Sequence, residues 1–149
     1  MDLILWRHAD AEDGAPDLER RLTDKGRKQA ARMAKWLRER LPKDYRLISS
    51  PAARARQTAE ALGMPKTVEA LAPGASTRDI LKAVQWPDYD GTVIVVGHQP
   101  DLGCVAAYLV SGANVGWSLK KGALWWITYR DRNGESQVVV RAVMSPDLF

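Results

Sequence analysis

Leu3-Ile4-Leu5-Trp6-Arg7-His8-Ala9-Asp10 is the stretch on which the fold turns. A short, wholly apolar run that breaks into an arginine and a histidine reads as a central strand covered on both faces. Its last residues then emerge at the carboxyl edge of a sheet, where open α/β folds bind their ligands. The chain has only two histidines, and the second repeats the pattern: Thr92-Val93-Ile94-Val95-Val96-Gly97 runs into His98. Two strand ends, each delivering an imidazole, frame the reading of everything between them.

Outward from the first strand, residues 12–19 contain Gly14, Pro16 and several acids, and read as a surface loop. Thr23 is placed to cap a helix whose apolar stripe is Ala30, Met33, Ala34, Leu37 and Leu41, ending before Pro42. Tyr45 to Ile48 is a second short strand. Ser50-Pro51 has the form of a helix start, serine as cap and proline in the first position, with Ala55, Thr58, Ala59 and Leu62 turned inward and Arg54 in the first turn. Val68 to Leu71 reads as a third strand, followed by the Pro73-Gly74 break and a helix capped by Thr77 that carries Ile80, Leu81 and Val84. After the 92–96 strand, Pro100 opens a helix with Leu102, Val105, Ala106 and Leu109 inward, stopped near Gly112. Ala123–Arg130 and Gln137–Met144, joined through Asn133-Gly134, read as a hairpin. Alternation of β and α followed by a strand pair predicts an α/β three-layer sandwich, with a mostly parallel central sheet and helices on both faces.

Size and composition agree with one domain over 1–149: 46% of residues are hydrophobic and 27% charged, as in ordinary globular proteins. No apolar stretch is long enough to span a bilayer, so no membrane is expected. The start lacks a basic segment leading to a small-residue cleavage site, and Cys104 is the only cysteine; a cytoplasmic location is expected. Cys104 itself, among Gly103, Val105 and Ala106, reads as a packed small residue. The chain carries a net charge of +4, and much of the basic excess lies between residues 20 and 40, on what should be the solvated face of the first helix. Nucleic-acid binding is not expected, because no zinc-finger spacing, aromatic RNA-binding motif or basic tail accompanies that charge.

Arg7, His8, Arg54 and His98 converge if the strand-end reading holds. Two guanidinium forks, two imidazoles and a helix start suit a tetrahedral dianion, since arginine binds phosphate oxygens bidentately and stays charged. An imidazole can attack phosphorus or donate to an equatorial oxygen. Neither a cofactor nor a metal is called for where arginines neutralise the phosphoryl charge. Asp10 and Asp101 read first as turn and helix-start acids; Trp125 and Trp126 should face opposite sides of one strand, and Trp117 is a core residue by default.

Taken together, these segments resemble the histidine phosphatase superfamily, the phosphoglycerate mutase-like enzymes, and within it the SixA-type phosphohistidine phosphatases. The resemblance runs in family order through Arg7-His8-Ala9-Asp10-Ala11, Arg20 to Gly26, Ser50-Pro51-Ala52-Ala53-Arg54-Ala55-Arg56-Gln57-Thr58, Val96 to Leu102 and Gly122-Ala123-Leu124. It implies His8 as a transiently phosphorylated nucleophile, with Arg7, Arg54 and His98 on the phosphoryl oxygens, and Arg20 and Gln99 as further substrate-binding residues. Ala9 departs from the superfamily's Arg-His-Gly pattern, which would matter if that position needed a positive φ. Larger members take a general acid from a segment after the third or a neighbouring strand, which is short here; Glu69 and Asp10 are the candidate acids. An imidazole leaving group, with a conjugate-acid pKa of about 6.5, needs less help than an alkoxide. The expected activity is therefore that of a metal-independent phosphohistidine phosphatase, a monomer acting on a phosphohistidine-containing protein and releasing inorganic phosphate. The alternatives are a small broad-specificity phosphomonoesterase of the same superfamily and a non-catalytic phosphate-binding regulatory module.

Overall fold

The computed structural model describes residues 1–149. Strands β1 (Asp2–Arg7), β2 (Arg46–Ser49), β3 (Lys66–Thr67), β4 (Thr92–Gly97), β5 (Leu124–Arg132) and β6 (Glu135–Met144) form one six-stranded sheet in the order β3-β2-β4-β1-β5-β6. The β3, β2, β4 and β1 pairings are parallel; β5 and β6 add antiparallel at the β1 side. Helices α1 (Asp24–Arg38), α2 (Ala53–Glu60), α3 (Thr77–Ala83) and α4 (Asp101–Ser111) cover both faces.

Strand periodicity divides the core in two. Leu3, Leu5, Val93, Val95, Ile48 and Ile127 point to one side and pack on Ile80 and Val84 of α3 and Leu102, Val105 and Ala106 of α4. Ile4, Trp6, Ile94, Val96, Leu124 and Trp126 point to the other and pack on Met33, Ala34 and Leu37 of α1 and Ala55 and Ala59 of α2. Neighbouring side chains of a strand alternate between faces, so an unbroken apolar run is what a strand needs when both faces are covered. Trp125 and Trp126 separate as expected, one to each cluster. The basic residues of α1, from Lys25 to Arg38, lie on its exposed face.

Thr23 caps α1, its hydroxyl accepting from Gly26 N–H. Gly112, at φ 72°, closes α4 in the left-handed conformation that glycine adopts without cost. Asn133 and Gly134, both at positive φ, make the two-residue turn between β5 and β6.

Three local expectations need correction. The third strand is Lys66–Thr67, and Glu69–Leu71 is a single 3-10 turn. That turn brings Val68 and Leu71 onto one side, where both pack against the α3/α4 cluster, a gain that an extended strand would forfeit. Helix α2 begins at Ala53 with Ala52 as its cap, so Ser50 and Pro51 precede it. At α3 the capping hydroxyl belongs to Ser76, which accepts from Asp79 N–H, and Thr77 is the first helical residue.

Candidate active site

The carboxyl ends of β1 and β4 lie side by side, with Arg7 opposite Gly97 in the register. His8 and His98 follow directly, and their ring centroids are 5.3 Å apart. Both rings border a cleft of about 590 Å³ whose wall also includes Arg7, Arg20, Arg54 and Gln99. All four residues expected to converge therefore meet in one place. The rest of the wall includes Asp13, Pro73 to Thr77, Asp101, Cys104, Asn114 and Lys121.

Each of the four is held by neighbours. The imidazole of His8 is 7% exposed, and its Nδ1 lies 2.7 Å from the carbonyl oxygen of Ala9. A carbonyl only accepts, so Nδ1 carries the proton and Nε2 keeps its lone pair. Burial is the main reason the His8 pKa falls to about 4, and Arg54 and Arg7 press it further down. At neutral pH the ring is an uncharged base with one free nitrogen. Ala9 shows no positive φ, so its methyl costs nothing where the superfamily carries glycine. Its N–H donates to Thr58 Oγ1, and Thr58 Oγ1 donates to the Arg54 carbonyl, tying the His8 loop to α2.

Arg7 donates from Nη1 to the Leu119 carbonyl at 2.7 Å, and its Nε is buried without a protein partner. Arg54 is 4% exposed and is clamped by Asp17, whose backbone oxygen accepts from Nη1 at 2.8 Å and whose Oδ2 accepts from Nη2 at 3.1 Å. Its Nε is also buried and unpartnered. His98 is 4% exposed; its Nε2 meets Ser50 Oγ at 2.8 Å and its Nδ1 has no protein partner. Burial first, then the nearby His8 and Arg54, lowers its pKa to about 3. Three buried nitrogens, on residues that line one cleft, thus have hydrogen-bonding capacity that the protein does not use. Such groups are costly unless an external group pairs with them.

The other expected residues divide. Arg20 borders the cleft but is tethered to Asp17 Oδ1 and to the Glu12 carbonyl. Gln99 borders it too, yet its amide is engaged structurally, donating to Trp117 O and accepting from Gly103 N–H. Asp10 is turned away into Thr23 Oγ1 and Lys121 Nζ, hydrogen bonds that lower its carboxyl pKa, and it is no part of the cleft wall. Glu69 is exposed on the 3-10 turn and likewise absent from the wall. Neither candidate acid reaches the histidines' cleft in this geometry. Trp117 packs against Trp125, ring centroids 5.3 Å apart, on the edge of the α3/α4 cluster. Cys104 is half-buried and touches the wall, a more open position than close packing predicts.

Asp17, Ser50 and the 73–77 wall join the site through contacts that the sequence pattern does not signal. Asp101 occupies the first turn of α4, as a helix-start acid should, but its Oδ2 also accepts from Gly74 and Ala75 N–H, which fastens the wall to the helix. Burial raises its pKa, against the pull of those N–H groups.

The model of the histidine phosphatase superfamily (branch 1) matches residues 3–91. The chain belongs to the histidine phosphatase superfamily. Within it, the phosphohistidine phosphatase SixA of Escherichia coli is 32% identical over 122 residues, covering 75% of this chain and 76% of that protein. The solved structure of the protein histidine phosphatase SixA complexed with tungstate superposes with a TM-score of 0.84 at 27% identity, covering 99% of each chain. A phosphoserine phosphatase of Entamoeba histolytica in complex with phosphoserine shares the fold, at 15% identity, with a TM-score of 0.70 over 97% of each chain. The phosphoglycerate mutase-like fold read from the sequence is the observed one, and the chain is a phosphatase of this superfamily. No group of three or more histidine, cysteine, aspartate or glutamate side chains is placed to hold a metal ion. No helix is long and apolar enough to cross a membrane.

Proposed function

We propose that this phosphatase hydrolyses phosphohistidine on a protein, through a transient phosphohistidine of its own at His8. The observation that carries the catalytic part is the 2.7 Å contact between His8 Nδ1 and Ala9 O, which leaves Nε2 as a neutral nucleophile facing a cationic cleft. Nε2 attacks phosphorus in line, and the P–N bond of the substrate breaks, its electron pair returning to that nitrogen; with a proton on its other nitrogen, the substrate ring leaves as neutral imidazole. Arg7 and Arg54 offset the charge on the equatorial oxygens, as His98 does by hydrogen bonding. Water then attacks the phosphorus of phospho-His8, releasing phosphate and restoring the free imidazole.

Two things support phosphohistidine as the substrate. One is the similarity to SixA of Escherichia coli. The other is the carboxyl inventory: of the two carboxyl groups in the wall, Asp13 is on an exposed loop and Asp101 is tied to backbone N–H groups. A phosphohistidine ring takes up its proton from solvent near neutral pH and leaves as neutral imidazole, whereas an alkoxide needs a general acid in the site.

A second reading, phosphomonoester hydrolysis, draws on Asp101, because a carboxyl whose pKa is raised by burial beside the cleft could protonate an ester oxygen. Turnover of a phosphohistidine-bearing protein, a phosphoserine peptide and p-nitrophenyl phosphate, all in EDTA, decides between them. The expected result is a kcat/KM at least tenfold higher for phosphohistidine, abolished by His8→Ala and little changed by Asp101→Asn. A preference for esters that Asp101→Asn removes would establish the second reading. Phosphate binding without any phosphoenzyme in a rapid-quench assay would leave only a binding module.

A further inference from the structure

We propose that Ser50 is a positioning residue that fixes His98 in its Nδ1–H tautomer, so that an uncharged imidazole serves as a hydrogen-bond donor to the bound anion. The donor role rests on the phosphoryl-transfer reading; the tautomer does not.

Ser50 is fully buried at the end of β2, between the strand and the start of α2. Its Oγ has two neighbours within hydrogen-bond distance: Ala52 N at 3.1 Å and His98 Nε2 at 2.8 Å. The Ala52 amide can only donate, so it occupies one lone pair of the hydroxyl oxygen. The hydroxyl proton then has a single acceptor within reach, His98 Nε2. If Nε2 carried the ring proton instead, the serine hydrogen would be buried with no acceptor. His98 Nδ1 would also be a buried lone pair without a donor, so two polar groups would be left unsatisfied in place of one. With Nε2 accepting, the only unpaired group is the buried Nδ1–H of a ring that borders the cleft.

That arrangement matters because His98 is neutral over the working range of pH, its pKa lying far below 7. A charged imidazole would donate from both nitrogens, and no tautomer would need choosing. A neutral one presents either a proton or a lone pair, and a lone pair facing a phosphoryl oxygen repels it. The serine hydroxyl makes that choice without adding a charge beside His8, whose nucleophilicity depends on remaining unprotonated.

With two histidines in the chain, ring-15N labelling gives a spectrum in which His8→Asn leaves His98 alone. Long-range 1H–15N correlations at pH 7 should show His98 protonated at Nδ1, before and after addition of inorganic phosphate. Ser50→Ala should lose that preference, and Ser50→Thr, which keeps a hydroxyl, should retain it. In kinetics with phosphoramidate, Ser50→Ala should lower kcat about ten- to hundredfold, the range typical of partners that orient a reacting group, with KM changed much less. Ser50→Thr should recover most of the loss. An Nε2–H or doubly protonated His98 in the wild type overturns the proposal, and needs no variant to fold. So does Ser50→Ala with an unchanged tautomer. An Nδ1–H tautomer in a protein that turns over no phosphoryl donor upholds the tautomer and defeats the functional reading.

Discussion

Holding two neutral histidines in one buried cleft should make the free enzyme sensitive to mild acid, and the size of the effect follows from the site. In the unfolded chain each imidazole titrates near 6.5; in the folded protein His8 titrates near 4 and His98 near 3. Both folded values are depressed, so the unfolded state binds more protons as pH falls, and stability present above pH 6.5 is lost on the way down. At pH 5 the unfolded imidazole is 1.5 units below its pKa while the folded rings remain mostly neutral. At 1.36 kcal/mol per unit, each histidine therefore costs about 2 kcal/mol of stability relative to neutral pH, and the pair about 4 kcal/mol. The figure at pH 5 is set almost wholly by the unfolded imidazole, since both folded values lie at or below 4. Urea unfolding followed by tryptophan fluorescence, at pH 7.5 and pH 5 in phosphate-free buffer, measures it. Groups other than the histidines titrate equally in wild type and variants, so the comparison of pH dependence isolates the two rings. His8→Asn and His98→Asn should each lessen the loss between the two pH values by about 2 kcal/mol. Variants that lose as much stability as the wild type would refute the neutral-imidazole basis of the mechanism.

Other consequences are local. Asp17→Ala removes the carboxylate that aims Arg54, and kcat/KM should fall about tenfold while the melting temperature moves little, because that ion pair has one exposed partner. Arg54→Lys keeps the charge but not the planar fork; it should lower kcat/KM about as much as Arg54→Ala, and a lysine enzyme of near wild-type activity would deny a bidentate role. Gly26→Ala would put a methyl 1.9 Å from the Asp10 carbonyl oxygen, where α1 abuts the end of the His8 loop. Backbone must then move, and urea unfolding should show a loss of at least about 2 kcal/mol, with reduced activity.

The parts of the site that sequence made legible are those where a periodic pattern breaks. Arg7, His8 and His98 stand at the ends of apolar runs too regular to be anything but buried strands. The covalent geometry of a parallel sheet then carries them to one edge. The residues that orient them lie in segments with no period to read. Asp17 belongs to a loop whose acids and glycine look solvated, and its side chain is in fact half-exposed; only the fold, by setting α2 against that loop, turns it onto an arginine 37 positions away. Ser50 carried a signal of the wrong kind. A serine before a proline is a sound helix-cap reading, and the hydroxyl does accept a backbone N–H, but the partner that gives it a second use arrives from another strand.

Asp101 shows where such reading stops and physical argument must take over. An acid in the first turn of a helix is sufficiently explained by the helix dipole, and sequence offers no reason to look further. In the folded chain the same carboxyl is 6% exposed, holds the Gly74–Ala75 wall and borders the cleft. Burial pushes it toward the neutral acid while the N–H groups it accepts favour the anion, and burial is the stronger influence. These two influences have opposite chemical consequences: a protonated Asp101 could serve an alkoxide leaving group, an ionised one only fastens the wall. Substrate class therefore turns on the charge of one side chain. Carbon-detected NMR of Asp101 at neutral pH reads that charge directly: an ionised carboxylate favours the N-linked phosphoryl substrate, and a carboxyl still protonated there favours the ester.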